Sequence, residues 1–198
     1  MRVIAGRFKG AAIPSALKGT RPTTDRTKEA MFSRLDAWGA LSGARVLDLY
    51  AGTGALGFEA LSRGGRGLVA VEASRRAAGL ISRTLAALKA SPAWGEDDSA
   101  QVLSVKVERF LEAEVERSRE SHAERSFDLI FIDPPYALPS ADCDRILDSL
   151  AARGLALSGC LVVLERSARS EPPQLPEGWS LDDERTYGET RVYYISRI

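Results

Sequence analysis

An acidic residue, two prolines and an aromatic residue follow an apolar stretch in the second half of the chain. The stretch Phe127–Ile132 has five apolar residues out of six, which is typical of a buried strand in a parallel sheet. The strand must end at Pro134 and Pro135, because proline cannot donate a ladder hydrogen bond. Asp133 and the Pro134 carbonyl are then rigid acceptors at the carboxyl end of a strand, where open α/β sheets bind ligands.

Tyr136 adds a flat apolar face, on which a nucleobase can stack. Together these residues predict a site for a planar amino group, with Asp133, Pro134, Pro135 and Tyr136 as the catalytic residues. A proline-rich turn with Tyr136 packed at its rim is the alternative.

A glycine-rich loop follows an earlier strand, in the stretch Val46–Gly57 (VLDLYAGTGALG). The glycines allow a sharp turn and the close approach of a ligand to the main chain. Their spacing matches GxGxxG, so the loop alone does not separate NAD from other adenosine cofactors. However, Asp48 suits a cationic amino-acid group, and no Arg or Lys lies between Val46 and Arg63 to meet a phosphate. Both features favour S-adenosylmethionine over NAD.

Glu72 ends the next predicted strand, 18 residues after Gly54. From this position a carboxylate can accept hydrogen bonds from two ribose hydroxyls. An exposed acid that caps the following helix is the alternative. The predicted cofactor-binding residues of these two stretches are Asp48, Tyr50, Ala51, Gly52, Gly54, Glu72 and Ala73.

Composition excludes several classes of function. The 198 residues suit one domain, and 44% hydrophobic content with mixed charge is typical of a globular protein. No apolar run approaches 18 residues, so no membrane span is expected. Cys143 and Cys160 show no metal-type pairing and indicate a reduced, cytoplasmic location. His122 is the only histidine, so neither a zinc site nor a histidine-based triad is expected.

The charge of the chain is uneven although its net charge is zero. Met1–Arg34 carries eight basic and two acidic residues, net +6, and the remainder is therefore −6. A basic segment on an acidic domain indicates a polyanionic partner. We expect RNA contacts from Arg2, Arg7, Lys9 and Arg21, within a basic arm or hairpin and linker of residues 1–22 that lies outside the sheet. A solvated segment that binds nothing is the alternative.

Strands and helices alternate over residues 23–198, which predicts a doubly wound α/β sheet. The expected strands are Val46–Leu49, Gly67–Val71, Gln101–Val105, Phe127–Ile132 and Gly159–Glu165, followed by a hairpin of Trp179–Thr186 and Arg191–Ile198. The expected helices start near Asp25, after the glycine loop, at Ser74, at Glu108 and at Ala141.

These motifs together resemble a known family. The chain is similar to the class I S-adenosylmethionine-dependent methyltransferases, and more narrowly to bacterial 16S ribosomal RNA guanine-N2 methyltransferases of the RsmD type. The resemblance covers nearly the whole chain. It rests on RVIAGR from Arg2, RPTTDR from Arg21, the loop Leu47–Gly57 continuing to Gly64, Glu72, and DPPY from Asp133.

The resemblance implies a Rossmann-like seven-stranded, mostly parallel sheet with an antiparallel last strand. It also implies a cytoplasmic monomer that uses S-adenosylmethionine to methylate 16S ribosomal RNA or a small-subunit particle. Family members often carry an acidic or amide residue after the third strand, but this chain has Lys106 there. Adenine contact is therefore expected from the backbone around Val107 or from Glu108. The resemblance also implies that Thr24 and Arg26 lie near the cofactor and help to bind it.

Three rival functions remain open at this point. A DNA adenine-N6 or a protein glutamine-N5 methyltransferase can use a related motif around Asp133. A non-catalytic RNA-binding assembly protein with a vestigial cofactor pocket is the rival from another class. The short chain argues against the DNA enzyme, and Asp rather than Asn at position 133 argues against the glutamine enzyme.

Overall fold

The computed structural model describes residues 1–15, 25–117, 126–152 and 154–198. Its seven strands are β1 (Arg45–Leu49), β2 (Gly67–Val71), β3 (Ser99–Leu103), β4 (Phe127–Ile132), β5 (Ala156–Ser167), β6 (Trp179–Tyr187) and β7 (Thr190–Arg197). Its helices are α1 (Asp25–Ala37), α2 (Ala55–Ser62), α3 (Arg75–Lys89), α4 (Val107–Arg117) and α5 (Ser140–Ala152). None of the helices in the described part of the chain combines the length and apolar composition that a membrane span needs.

All seven strands form one sheet in the order β3-β2-β1-β4-β5-β7-β6. The first five strands run parallel, and β7 lies antiparallel between β5 and β6. The expected Rossmann-like α/β fold with an antiparallel last strand is therefore confirmed. The strand order reverses between β1 and β4, and ligands bind at such a switch point in open α/β sheets.

Helices cover both faces of the sheet. Neighbouring residues of a strand point to opposite faces, so each strand contributes apolar side chains to both layers. The face with Val46 and Phe131 packs with α1, α2 and α3. The face with Leu47 and Ile130 packs with α4 and α5. Strands buried on both sides account for the nearly continuous apolar runs in the sequence.

The N-terminal segment packs onto this domain and does not project from it. Val3, Phe8 and Ile13 are buried in the same core as α1 and α2. The expected hairpin is reduced to one antiparallel bridge, between Arg2 and Ala12. Most of the predicted linker falls on residues 16–24, which lie outside the described residues.

The bounds of β3 and β5 differ most from those expected from the sequence, whereas β1, β6 and β7 differ by one residue at one or both ends. β3 begins two residues earlier than expected, because Ser99 pairs with Gly67 at the start of β2 and its N–H donates to the Arg66 carbonyl. β5 is longer at both ends, because Ala156 pairs with β4 and Ser167 pairs with β7.

Candidate active site

Three carboxylates lie at the carboxyl ends of three neighbouring strands and on one face of the sheet: Asp48 is the last but one residue of β1, and Glu72 and Asp133 directly follow β2 and β4. Asp48 pairs in register with Ala70 of β2 and with Phe131 of β4. Glu72 and Asp133 each come two residues after those partners, so strand alternation places them on the same face as Asp48. The charges of Asp133 and Glu72 both contribute to the raised pKa of Asp48. The sequence separated these acids by up to 85 positions, and the sheet brings them together.

Asp48 is 1% exposed and accepts a hydrogen bond from the Gly57 N–H at 3.0 Å. Burial raises its pKa from 3.8 to about 7; the Gly57 hydrogen bond opposes this shift, and Asp133 and Glu72 add to it. A Cβ atom at Gly57 would lie 3.0 Å from the Asp48 Oδ2 and 2.7 Å from Leu68. Position 57 is thus a glycine because β1 and α2 meet closely there.

The glycine loop is tied to the end of β2 through Glu72. One Glu72 oxygen accepts from the Gly52 N–H at 2.8 Å, and the other accepts from the Ser74 N–H at 2.7 Å. Gly54 caps α2 in the left-handed region, with φ 77°, where an added Cβ would lie 2.7 Å from the Phe58 ring. Each carboxylate oxygen of Glu72 retains a second lone pair, so further donors can bind there.

Tyr50 is the one described non-glycine residue with a positive φ, 62°. An aromatic residue in this region carries backbone strain, which is concentrated at functional sites. Burial raises the pKa of the Tyr50 hydroxyl, and the charge of Glu108 adds to the shift. The structure therefore brings two predicted cofactor residues, Tyr50 and Glu108, close together at the carboxyl edge of the sheet.

Val107 and Glu108 open α4, and Val107 is buried whereas Lys106 and Glu108 are exposed. The side chain that occupies the usual acid position is thus directed to solvent, whereas the adjoining Val107 packs in the core beside Leu49 and Val71. How adenine is contacted stays a prediction.

Asp133 follows β4 directly, and burial raises the pKa of its carboxyl above 3.8. Pro134 is buried and Pro135 is exposed. The Pro135 carbonyl accepts from the Leu138 N–H at 2.8 Å, so the loop turns back on itself. The Tyr136 side chain remains accessible, at 43% exposure.

Two residues that the sequence analysis did not select contact this loop. Arg166, 3% exposed, donates from Nη2 to the Leu138 carbonyl at 2.7 Å. The Tyr136 hydroxyl and the Thr190 Oγ1 lie 2.6 Å apart. No local sequence signal marks either residue, because each is more than 25 positions away from its partner.

A buried ionic cluster links the N-terminal segment to α1 and α2. Glu59, fully buried, accepts from the N–H groups of Ile4 at 2.8 Å and Ala5 at 3.0 Å. It also accepts from the Arg63 Nε at 2.8 Å and lies 3.5 Å from the Lys28 Nζ. A charged residue within the otherwise apolar helix ALGFEALS is the signal that could have found it.

The remaining predicted residues lie at different places. Ala51 is buried beside the glycine loop, Ala73 is exposed after β2, and Arg26 is exposed in the first turn of α1. Arg2 and Lys9 are exposed on the N-terminal segment. Arg21 and Thr24 lie outside the described residues.

Arg7 lies at the opposite edge of the sheet from Asp133. Its side chain donates to both Asp98 oxygens, at 2.7 and 3.0 Å, and to the carbonyls of Leu61 and Gly65. These partners end α2 or precede β2 and β3, so they mark the amino edge. The Arg7 guanidinium is thus hydrogen-bonded within the protein. Contact of Arg7 with RNA stays a prediction.

The arrangement has two adjoining halves. Asp48 and Glu72 can receive a cationic and hydroxylated ligand beside the glycine loop. Asp133, the Pro134 carbonyl and the exposed Tyr136 ring can receive a flat group that carries an amino nitrogen. No group of three or more His, Cys, Asp or Glu side chains suited to a metal ion occurs in the ranges described.

Comparison with known proteins agrees with this geometry. The family model described as Conserved hypothetical protein 95 matches residues 1–196. The ribosomal RNA small subunit methyltransferase D of Escherichia coli K12 is 30% identical over 196 residues, which cover 98% of this chain and 89% of that protein.

Solved structures show the same relationship. A candidate methyltransferase from Escherichia coli superposes with a TM-score of 0.79 at 28% identity, over 100% of this chain and 97% of that one. A hypothetical protein from Thermus thermophilus gives 0.75 at 29% identity, over 98% of both chains. The chain therefore belongs to the family described as Conserved hypothetical protein 95, the family of ribosomal RNA small subunit methyltransferase D.

Proposed function

We propose that this protein transfers a methyl group from S-adenosylmethionine to the exocyclic N2 of a guanine in 16S ribosomal RNA. The family relationship supports a ribosomal RNA methyltransferase, as the sequence predicted. The observation that supports this choice of atom is that Asp133 and Glu72 lie close enough to Asp48 for both their charges to raise its pKa, so the acceptor after β4 adjoins the predicted cofactor residues.

The residues at the switch point fit S-adenosylmethionine. Asp48 is a buried carboxylate with a pKa raised to about 7, and a cationic amino-acid group would favour its ionised form. Glu72 would accept from the ribose hydroxyls while holding the Gly52 and Ser74 amides. When bound, the cofactor supplies an electrophilic methyl group on a sulfonium sulfur.

The loop after β4 would bind the target base. A guanine amino nitrogen is a poor nucleophile, because its lone pair is delocalised into the ring. Acceptance of its two hydrogens by the Asp133 carboxylate and the Pro134 carbonyl would favour a pyramidal nitrogen. Tyr136 would stack on the base after it leaves its helix. Catalysis then rests on position and electrostatics, and the methylated nitrogen loses its proton afterwards.

The RNA substrate would also meet the basic N-terminal segment, through Arg2, Lys9 and Arg21. Arg7 belongs to the same predicted set, although its side chain is engaged within the protein. We further infer that the protein acts as a monomer in the cytoplasm, where ribosomal particles are assembled.

The test is methylation of small-subunit RNA, naked or assembled, from a strain that lacks the protein. Nucleoside mass spectrometry should find N2-methylguanosine. Formation of N6-methyladenosine, or of no methylated nucleoside on either substrate, would refute the proposed reaction.

Two variants separate the two halves of the site. Asp133→Ala should lower the single-turnover rate by about 100-fold or more and leave cofactor affinity nearly unchanged. Glu72→Ala should instead act on the cofactor. Its binding should weaken by roughly 1.5–3 kcal/mol through the loss of a charged acceptor. A wild-type rate for Asp133→Ala, or unchanged calorimetric affinity for Glu72→Ala, would remove that residue from its role.

A further inference from the structure

The hydroxyl of Tyr136 is held by a residue 54 positions later in the chain. The Tyr136 Oη and the Thr190 Oγ1 lie 2.6 Å apart, within the range of a well-formed hydrogen bond between hydroxyls. The Tyr136 side chain is nevertheless 43% exposed. The contact therefore fixes the far end of the side chain while much of its surface stays available to a ligand.

Thr190 is itself held firmly by the sheet. It is the first residue of β7, and it pairs with Ser167 of β5 and with Tyr187 of β6. The preceding turn is anchored as well, because the Glu189 carbonyl accepts from the Ala168 N–H at 2.8 Å. The Thr190 hydroxyl is thus a fixed point at the carboxyl edge of the sheet.

The backbone of the Asp133–Leu138 loop does not depend on this contact. The Pro135 carbonyl accepts from the Leu138 N–H, and the buried Arg166 donates to the Leu138 carbonyl. Pro134 and Pro135 restrict the chain further. The Thr190 hydrogen bond therefore controls the orientation of the Tyr136 side chain rather than the path of the loop.

We propose that Thr190 is a positioning residue that holds the Tyr136 ring in the orientation that stacks on the target base. This inference rests on the proposed role of Tyr136 in binding the base. A ring that is already fixed does not lose rotamer freedom when the base arrives, so stacking costs less. Thr190 would thus raise the efficiency of methylation without touching either substrate.

The experiment is a double-mutant cycle with Thr190→Val and Tyr136→Phe, each of which removes one hydroxyl and keeps the shape of the side chain. Each single variant should lower kcat/KM for RNA by roughly threefold to tenfold, the value of one hydrogen bond. The double variant should be no worse than either single variant, because both remove the same contact. Cofactor affinity and Tm should remain at wild-type values.

Two controls accompany the cycle. Thr190→Ser keeps the hydroxyl and should retain most of the wild-type kcat/KM. Thr186→Val makes the same change at an exposed position of β6 and should have no effect on kcat/KM.

Three outcomes would overturn the inference: wild-type kcat/KM for Thr190→Val, independent additive losses in the cycle, or faster methylation on removal of the hydroxyl. Tyr136→Ala keeps this test separate from the proposed function. If Tyr136→Ala retains full activity, the proposed stacking itself is wrong. If Tyr136→Ala loses activity but Thr190→Val does not, only the role of Thr190 is refuted.

Discussion

Asp48 combines a charge with almost complete burial, and the structure shows how the protein tolerates it. The carboxylate accepts from the Gly57 N–H at the start of α2, where the helix dipole also favours negative charge. That interaction does not cancel the effect of burial, so the pKa is raised from 3.8 to about 7. Asp48 therefore titrates in the pH range in which the enzyme would be assayed.

This shift predicts a pH-dependent stability. Between pH 4 and pH 7 the folded protein binds more protons at Asp48 than the unfolded chain does, so the free energy of unfolding falls as pH rises. The contribution is at most about 1.4 kcal/mol per pH unit, and it is constant above pH 7. Asp48→Asn should remove the contribution of Asp48, because asparagine cannot titrate, whereas the raised pKa of Asp133 should still contribute a fall in both proteins.

The measurement is urea unfolding of both proteins at pH 5, 6, 7 and 8, without cofactor. The free energy of the wild type minus that of Asp48→Asn should decrease up to about pH 7 and then level off. A difference that does not vary with pH would show that burial leaves the Asp48 pKa unshifted.

At the scale of elements, the sequence predicted most of the sheet. β2 and β4 have the expected bounds, because each is an apolar run that ends at a residue with a role at the site, Glu72 or Asp133. The bounds of β3 and β5 were less accurate, since pairing with neighbouring strands decides where they begin and end. Local patterns carry no information about such pairing.

The prediction of the site succeeded and failed for the same reason: local patterns mark some residues, but they carry no information about distant partners. Asp48, Glu72 and Asp133 were found because each lies at or just beyond the carboxyl end of an apolar run, and parallel strands end at one edge. Arg166 and Thr190 were missed because their importance comes from partners distant in sequence, whereas Glu59 was missed although its charge within the apolar helix ALGFEALS is a local signal. Tyr50 was expected at the site, but its left-handed backbone was not, since an aromatic residue gives no such signal.

The ionic cluster around Glu59 gives a prediction about how the N-terminal segment is held. Glu59→Ala should remove the acceptor of the Ile4 and Ala5 amides and the carboxylate beside the buried Lys28. Breaking a buried pair from one side costs about 3–5 kcal/mol, so the variant should be strongly destabilised in urea. Limited proteolysis should also cut residues 1–13 more readily than in the wild type.

Glu29→Ala is the matched control, because Glu29 contacts the same Arg63 at 3.2 Å but its side chain is 47% exposed. Its cost should stay below about 1 kcal/mol. Equal losses for the two variants would show that burial of Glu59 is not what makes it important.

At the scale of the whole molecule, the charge imbalance predicts how RNA affinity depends on salt. Deletion of residues 1–13 is an unsuitable test, because it would remove Val3, Phe8 and Ile13 from the core. The double variant Arg2→Ala with Lys9→Ala removes two exposed charges instead. It should weaken RNA binding and flatten the log–log salt dependence by roughly 0.7–0.9 units per lost phosphate contact.

Arg7→Ala serves as the comparison in the same titration. Its guanidinium holds Asp98 and two carbonyls at the far edge of the sheet, so the variant should lose stability, and a wild-type salt slope would remove Arg7 from the predicted RNA contacts. An unchanged slope for the Arg2 and Lys9 variant would mean that the RNA surface lies elsewhere.

The strand order also has a consequence for synthesis of the protein. β7 is last in the sequence but lies inside the sheet, where β5 and β6 both hydrogen-bond to it. Until residues 190–197 emerge during translation, β5 therefore has an open edge and β6 has no partner strand among the described elements. A nascent or truncated chain that ends before Thr190 would expose apolar strand edges to other chains. Because the Thr190 hydroxyl also contacts that of Tyr136, the same strand completes both the sheet and the hydrogen bond that orients the ring.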